Sequence, residues 1–520
     1  MHWVDAAAEG LLQRGPSHVI ASGTSISGQI HIGNAGDVLI GDGIRRSVER
    51  AGRSARLLWI MDDMDPLRGL PEQIPASFSR YLGAPDHRIP CPDGTCPSFI
   101  EHFAAPFLKE LSDVGIVPEI VSSADLYEGG RMVPYVEKAL IEAERIRRIL
   151  EEVSGSEKPD GWLPFDPICG RCGKITPTQA YDYDPERKVV MYRCTGGVAG
   201  KKAVEGCGHE GEADLTDGKL TWRVDWAARW ALLGVTCEPF GKDHAAAGGS
   251  YDTSSRICRE VFGYEPPYPV PYEHILVEGA KMSKSKGNVV ALGEMTACGT
   301  AELSRFFFFR TRATKHKDLR IERTLVPLME TYEWAEMVYF GMEEGFPERE
   351  LGEIRRSYEL AQVAAAPPAA FFQVPFTHLV STVQVAPDHG SLMAALARTG
   401  LTEIPEEHID RFMRKVAAAR AFVADEAPEE MRFTLLDASP PLEPSDAAAV
   451  AAYRQTISEA PWTAADLHQA AYAAAERLGV KGSTVFTAVY RCLLGKDRGP
   501  RLGFFLASLD RDYVMARLRR

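Results

Sequence analysis

Long apolar runs are missing from this sequence of 520 residues. No stretch of about 18 consecutive apolar residues occurs, so the sequence predicts neither a membrane-spanning helix nor a membrane partner. The first residues, from Met1 to Asp5, lack a basic stretch followed by an apolar core, and therefore predict no secretory signal. We expect the protein in the cytoplasm.

A net positive charge is missing as well. The chain has 59 basic and 72 acidic residues, a net charge of −13. Because a protein that coats DNA is usually basic, this balance argues against a DNA partner. RNA can still be bound by local basic patches on an acidic body, although such patches are also typical of an ordinary solvated surface. The two candidate patches are Arg310, Arg312, Lys315, Lys317, Arg320 and Arg323, and then Lys496, Arg498 and Arg501.

Cysteine is scarce, yet four of the ten cysteines lie close together in the sequence, at Cys169, Cys172, Cys194 and Cys207. Without an export signal, clustered cysteines favour a metal over disulfides. A Cys-x2-Cys pair places two sulfurs around one metal, and Zn2+ takes four such ligands. We predict structural zinc here, since four protein ligands leave no open position for hydrolysis. His209 could replace one sulfur, and free thiols are the alternative.

A second group combines Cys91 and Cys96 with His87 and His102. The Cys-x4-Cys spacing is a weaker metal signal, so the sequence leaves a second zinc site open.

The pattern near the start of the chain predicts a strand at residues 18–22, a loop of small residues, a helix at 31–50 and a second strand at 56–61. This order is typical of a doubly wound α/β sheet, in which ligands bind at the carboxyl ends of the strands. Further strands are predicted at 220–226 and 274–277.

The length predicts about two to four domains. We interpret residues 1–84 as the first half of the α/β domain and 85–215, which contain the clustered cysteines, as a zinc-binding insertion. Residues 216–330 form the second half. Residues 331–520 are predicted to be all-helical, because alanine-rich stretches favour helix and β-branched runs are scarce.

Two loops carry groups suited to phosphate chemistry. Residues 22–34 place His31 and Asn34 at the start of a predicted helix, whose N-terminus offers free N–H groups and partial positive charge. Residues 281–288 hold three lysines that could stabilise a leaving pyrophosphate. Each loop alone would also fit a structural turn or an exposed charged loop.

Together the two loops resemble the signature motifs of class I aminoacyl-tRNA synthetases. The segment His31-Ile32-Gly33-Asn34 resembles their "HIGH" motif, and Lys281-Met282-Ser283-Lys284-Ser285 matches their "KMSKS" motif. Further blocks are similar to the archaeal-type lysyl-tRNA synthetases over most of the chain. These blocks are residues 62–68, 224–230, 238–244, 248–251, 271–273 and 490–501.

One loop departs from that family, which usually reads Ser-Gly-x-Thr-Pro-Ser-Gly. Here Ser25 stands in the place of threonine and Ile26 in the place of proline. The departure leaves the nucleotide assignment unchanged and puts exclusive use of lysine in doubt.

The resemblance implies a Rossmann-type catalytic domain with a zinc-binding insertion, followed by an all-α anticodon-binding domain. It implies ATP-dependent attachment of L-lysine to tRNA(Lys) through a lysyl-adenylate, with Mg2+ accompanying ATP and Zn2+ in a structural role. Two alternatives are a class I synthetase for another amino acid, with glutamate nearest, and a non-catalytic paralogue that binds tRNA or regulates. Asp225 argues against an anionic amino acid, while intact His31, Lys281 and Lys284 argue against lost catalysis.

The resemblance also implies roles for individual residues. The catalytic residues would be His31, Asn34, Lys281 and Lys284. ATP would contact Gly28, His31, Gly33, Asn34, Lys281, Met282, Ser283, Lys284 and Ser285. Lysine would contact Gly23, Ser25, Trp222, Asp225, His244 and Tyr272. Zinc would be held by Cys169, Cys172, Cys194 and Cys207, and tRNA would contact Lys496, Arg498 and Arg501.

The chemistry of lysine fits such a pocket. Its methylenes need an apolar or aromatic wall, which Trp222 or Tyr272 could supply, and its ammonium needs an acceptor such as Asp225. Core packing is the alternative for Trp222 and Trp226, whereas a lone buried carboxylate would be costly.

Overall fold

The computed structural model describes residues 1–71, 73–282, 289–343, 345–371, 374–401 and 404–519. The chain forms two compact units. The first consists of Met1–Gly293, Ser304–Leu319 and Phe346–Ala365, and the second of Glu294–Leu303, Arg320–Gly345 and Ala366–Arg520. Among the described residues, no helix has the length and apolar character that a membrane crossing requires.

The described strands all belong to the first unit. They are β1 Ser17–Thr24, β2 Ser54–Met61, β3 Glu119–Ser122, β4 Phe165–Pro167, β5 Thr178–Asp184, β6 Val189–Cys194, β7 Gly196–Ala199, β8 Lys202–Glu205, β9 Glu210–Asp214, β10 Gly218–Leu220, β11 Cys237–Gly241, β12 Tyr268–Tyr272, β13 Ile275–Val277, β14 Ala280–Lys281 and β15 Lys317–Asp318.

Helices occur in both units. They are α1 Trp3–Leu12, α2 Ile32–Arg50, α3 Phe99–Asp113, α4 Ser123–Glu128, α5 Val133–Ile141, α6 Ala143–Ser154, α7 Trp222–Leu233, α8 Ser250–Ile257, α9 Leu292–Cys298, α10 Ala301–Phe309, α11 Ile321–Tyr339, α12 Glu348–Ala361, α13 Phe376–Thr382, α14 His389–Arg398, α15 Ile409–Ala421, α16 Pro444–Glu459, α17 Ala464–Leu478, α18 Gly482–Leu494, α19 Leu502–Ser508 and α20 Arg511–Arg517.

A parallel sheet with the strand order β12-β11-β1-β2-β3 forms the centre of the first unit. The predicted β-α-β unit is confirmed as β1, α2 and β2, with β1 and β2 in register from Ser17 opposite Ser54 to Thr24 opposite Met61. Thr24, Met61, Gly241 and Tyr272 end four of these strands at the same edge. In a parallel sheet, this carboxyl edge is where ligands bind.

The predicted strand at residues 220–226 is wrong. β10 ends at Leu220, and helix α7 begins at Trp222. Trp222, Trp226 and Trp230 recur every four residues and therefore share one helix face. The seven residues 220–226 are too few to distinguish this helical period from a buried strand. β10 pairs with β4, so the central sheet resumes only at β11. The strand predicted at 274–277 exists as β13, but in a separate sheet with β14 and β15.

The cysteine-containing segment forms small antiparallel sheets. β6 lies between β5 and β9, and β7 pairs with β8. Cys194 ends β6, while Cys169 follows β4 and Cys207 precedes β9. Residues 165–220 therefore form small sheets that bring distant cysteines together, whereas β3, which also lies within the predicted insertion 85–215, belongs to the central sheet.

The described part of the second unit is helical, as the sequence predicts for the C-terminal region. Its core joins α16, α17, α18 and α19, where small alanines such as Ala471 and Ala474 are fully buried. The mixed α/β fold followed by helices is thus confirmed, while the four domain boundaries stay predictions.

Helix α12 belongs to the first unit, although it lies beyond residue 331. The fully buried Arg305 donates to the carbonyl of Leu360 at 3.1 Å and to Asp42 Oδ2 at 2.6 Å. Arg356 pairs with Asp5 at 2.9 Å. These contacts fasten a late segment of the chain to helices α1 and α2.

Candidate active site and metal centre

A cavity of about 570 Å3 lies at the carboxyl edge of the central sheet. It collects most of the described residues that the sequence assigns to ATP and the amino acid. These are Gly23, Ser25, His31, Gly33, Asn34, Trp222, His244, Tyr272, Lys281 and Met282. Ser283, Lys284 and Ser285 lie outside the described residues. Gly28 and Asp225 are described but do not line this cavity.

Helix α2 points its N-terminus into the cavity. His31 is the capping residue, and its Nδ1 accepts from the Gly33 N–H at 3.1 Å. A Cβ at residue 33 would lie 2.9 Å from the His31 ring and 3.1 Å from the Met282 methyl. Glycine therefore keeps this surface open where free N–H groups and the helix dipole favour an anion.

Lys281 also lines this cavity, at the start of the lysine-rich loop. Its Nζ donates to Asp243 Oδ2 at 2.6 Å, and Asp243 Oδ1 lies 3.0 Å from His274 Nε2. The Lys281 side chain is well exposed. This exposure makes the ion pair with Asp243 weak and exchangeable for a phosphate.

Helix α7 supplies an aromatic wall. The rings of Trp222 and Trp226 are stacked with centroids 5.1 Å apart, and His244 lies 5.8 Å from Trp222. Trp222 is 40% exposed, so the predicted alternative of core packing does not describe it. Such a wall suits the methylenes of a long side chain.

Two buried carboxylates in the cavity wall, Glu238 and Asp37, were missed by sequence reasoning. Glu238 accepts from the indole N–H groups of Trp226, at 3.0 Å, and Trp230. Burial raises the pKa of Glu238 to about 7. Asp37 accepts from the Tyr272 hydroxyl, and burial raises its pKa well above the usual range. Neither forms an ion pair with a described residue, so a cation in the cavity would stabilise both.

Asp225 lies beneath the cavity rather than on its wall. It is fully buried, accepts from the Tyr127 hydroxyl at 2.6 Å and pairs with Arg229 at 3.1 Å. The buried carboxylate is thus paired with the protein's own cations, while its direct contact with the amino acid stays a prediction.

The same buried network holds the loop after β1. Ser25 Oγ donates to Asp65 Oδ2 at 2.7 Å, and Lys219 Nζ to Asp65 Oδ1 at 2.6 Å. Burial alone would raise the pKa of Asp65, but Lys219 and Arg68 lower it to about 2. Asp65 is therefore ionised at neutral pH and positions Ser25, the residue that departs from the family pattern.

The clustered cysteines meet as the sequence predicts. The sulfur atoms of Cys169, Cys172, Cys194 and Cys207 all lie within 4.8 Å of one another. Two approaches are 3.6 Å, between Cys169 and Cys207, and 3.8 Å, between Cys172 and Cys194. Four sulfurs at this separation fit the tetrahedron that Zn2+ prefers, and His209 is not part of the cluster.

The second cysteine pair is arranged differently. Cys91 and Cys96 form a disulfide, with Asp93 and His102 within 4.8 Å of them. His87 instead contacts Glu128 at 3.0 Å. In this oxidised form the pair has no thiolates, the form in which cysteine binds zinc.

In the second unit, the three residues assigned to tRNA differ in their availability. Lys496 donates to the carbonyl of Arg432 at 2.7 Å and to the Glu429 carboxylate at 3.1 Å. Arg498 is exposed. Arg501 lies over the Phe504 ring at 5.3 Å and lines a cavity of about 600 Å3. The two arginines are better placed than Lys496 to meet RNA.

Comparisons with known proteins identify the family of the chain. The chain belongs to the class I tRNA synthetases. Within that class, residues 1–364 match the family model described as "tRNA synthetases class I (K)", and residues 394–520 match that of an anticodon binding domain. The resemblance found in the sequence is thereby confirmed.

Relatives match over nearly their whole length. The chain is 36% identical to a lysine--tRNA ligase of Methanosphaera stadtmanae and 37% identical to one of Archaeoglobus fulgidus. Both alignments cover 100% of this chain and 99% of the relative. A lysine--tRNA ligase 1 of Methanosarcina acetivorans is 35% identical, with 100% and 98% covered.

Proposed function

We propose that this protein attaches L-lysine to tRNA(Lys) at the expense of ATP, through a lysyl-adenylate. The observation that carries the proposal is the cavity itself. It joins an anion-binding helix N-terminus, an aromatic wall and two buried carboxylates that form no ion pair with a described residue. The membership in the class I tRNA synthetases and the lysine--tRNA ligase relatives support the same substrate.

In the first step, an oxygen of the lysine carboxylate would attack the α-phosphorus of ATP while the bond to pyrophosphate breaks. His31 and Asn34, at the N-terminus of α2, would hold the phosphates and stabilise the transition state. Gly33 would let the nucleotide lie close to the helix. Lys281 and Lys284 would stabilise the leaving pyrophosphate. Mg2+ would accompany ATP.

The amino acid would be selected by charge and length. Trp222 would cover its methylenes, with Gly23, Ser25, His244 and Tyr272 completing the pocket. Glu238 and Asp37 would accept the ammonium in place of the predicted Asp225. A site built for a charge can reject neutral analogues by large factors, because its buried polar groups would be left unpaired.

In the second step, a ribose hydroxyl of the terminal tRNA adenosine would attack the lysyl carbonyl carbon and release AMP. Residues 1–84 and 216–330, together with strand β3, would form the catalytic domain, and zinc would stabilise the cysteine-containing part of the insertion 85–215. Residues 331–520 would bind the anticodon, with Arg498 and Arg501 as contacts. Unpaired bases are commonly recognised by stacking and by contacts to their edges.

The test is aminoacylation of bulk tRNA with each of the twenty amino acids, ATP and Mg2+. We expect charging by lysine alone and its loss in the Lys281→Ala/Lys284→Ala variant, while the exposed Lys109→Ala control retains it. Charging by another amino acid would overturn the pocket assignment and leave the catalytic assignment standing. Binding of tRNA without any charging would favour the regulatory paralogue.

A further inference from the structure

The segment at residues 310–317 of the first unit concentrates positive charge on an acidic protein. It contains Arg310, Arg312, Lys315 and Lys317 and no acidic residue, while the chain as a whole carries −13. Arg310, Lys315 and Lys317 form no ion pair with a described residue. Arg312 reaches Glu353 only at 3.9 Å, with both side chains exposed. His316 of the same segment lies 3.2 Å from the Glu273 carboxylate, and the charges of the two arginines and two lysines are left largely uncompensated by carboxylates of the described residues.

One of these cations, Lys317, is largely buried, with only 9% of its surface exposed. Burial, together with the neighbouring Arg310, lowers the pKa of Lys317 to about 8. A buried cation without a partner is costly, and a bound anion would remove much of that cost.

The segment is fastened beside the catalytic cavity. The backbone N–H of Glu273, which follows the cavity residue Tyr272, donates to the carbonyl of Ala313 at 2.8 Å. Lys317 itself pairs in β15 with Ile275 of β13, another cavity residue. An anion bound here would lie next to the site where the ribose of the tRNA end reacts.

A groove of about 460 Å3 extends from this segment along the outer edge of β12. Its walls combine Arg312 and Thr314 with the rings of Trp3 and Tyr268 and with prolines of the strand. Cations next to aromatic rings suit a nucleic acid strand, whose phosphates and bases or sugars meet both kinds of surface.

We propose that residues 310–317 and the groove beside β12 bind the sugar–phosphate backbone of the substrate tRNA as it enters the catalytic cavity. The proposal rests on the proposed function, which requires a tRNA at that cavity. Charge complementarity selects RNA, because phosphodiesters supply at regular spacing the anions that this segment lacks.

The experiment measures binding of bulk tRNA over a range of salt concentrations for the full-length Arg310→Gln/Lys315→Gln variant. Both side chains are exposed and form no ion pair with a described residue, so the fold should be retained. We expect the slope of log K against log salt to fall by about 1.5, since each lost phosphate contact removes roughly 0.7–0.9. The KM for tRNA should rise more than kcat changes, and ATP binding should stay as in the wild type.

Arg131→Gln is the matched control, because Arg131 is an exposed arginine of the same unit with no described ion pair. The variant Lys315→Arg, which keeps the charge, should bind like the wild type. An unchanged salt slope in the double variant would overturn the proposal. So would weaker binding of ATP with tRNA binding unaffected, which would place the nucleotide's phosphates here instead. A wild type that binds tRNA but charges no amino acid would refute the proposed function. The salt dependence of tRNA binding would still test the role of this surface separately.

Discussion

Gly33 faces the His31 ring and the Met282 methyl at distances that leave no room for a side chain. Changing Gly33→Ala would place a methyl 2.9 Å from the ring. We expect the fold to persist, because the ring and the methyl can shift, while lysine-dependent charging falls by about 100-fold, as misplacement near 1 Å can cause. Charging rate and melting temperature together test this expectation.

The control for this change is Gly352→Ala in α12, where an added methyl meets nothing within 4 Å. It should charge tRNA normally. Full activity of Gly33→Ala would contradict the role given to the open helix N-terminus.

Glu238 makes lysine binding depend on pH. Because burial raises the pKa of this carboxyl to about 7, it is mostly neutral at pH 6 and mostly ionised at pH 8. The lysine ammonium prefers the ionised form, so lysine affinity should increase by about tenfold over this interval. Calorimetric titration with lysine at pH 6, 7 and 8 measures this increase.

Glu238→Gln should remove the pH dependence and weaken binding, whereas the exposed Glu9→Gln control should keep both. A pH dependence that survives in Glu238→Gln would assign the titration to another group, with Asp37 the first to examine.

Sequence reasoning found the residues of the site that sit in local motifs. His31, Gly33, Asn34 and Lys281 were found in this way. It missed Glu238 and Asp37, since their partners are defined by the fold: Asp37 accepts from Tyr272, which is 235 positions away. It did not find the partners of Asp225 for the same reason, because Tyr127, one of them, lies 98 positions away.

At the scale of elements, the strand–helix–strand pattern before residue 63 was predictable, because hydrophobic period and small-residue loops are local. Helix α7 was not, because the window at residues 220–226 spans a three-residue strand and the first turn of the helix. The tryptophans that look like a buried strand form instead the wall of the cavity.

The β4–β10 pair links the cysteine cluster to the cavity. Cys169 follows β4, and β10 carries Lys219, which holds Asp65. Zinc bound by the four sulfurs would stabilise this pair. We expect Cys172→Ser to lose one zinc equivalent relative to the wild type and to melt at a lower temperature, because structural zinc contributes directly to folding.

Metal analysis by plasma mass spectrometry and thermal melting check that expectation. Cys298→Ser, at a buried cysteine outside the cluster, should retain the zinc. An unchanged zinc content in Cys172→Ser would refute the four-sulfur site.

At the scale of the whole molecule, the chain is acidic, while residues 310–317 beside the catalytic cavity carry two arginines and two lysines that the described carboxylates leave largely uncompensated. An overall negative charge weakens indiscriminate attachment to nucleic acids, so a tRNA would be held mainly where cations are left uncompensated. The composition gave only the total charge. It could not distinguish paired from unpaired cations, and Lys496, predicted as a tRNA contact, donates to the Glu429 carboxylate and to the carbonyl of Arg432.

Finally, the first unit can complete its fold only late in synthesis, because one of its segments lies far along the chain. Its last segment, Phe346–Ala365, supplies the carbonyl of Leu360 to the buried Arg305 and the guanidinium of Arg356 to Asp5. At about 5–20 residues per second, the ribosome needs tens of seconds to reach this segment. Until then the nascent chain exposes the helix α1 and α2 surfaces that α12 will cover, and this interval is when the growing polypeptide most needs protection from aggregation.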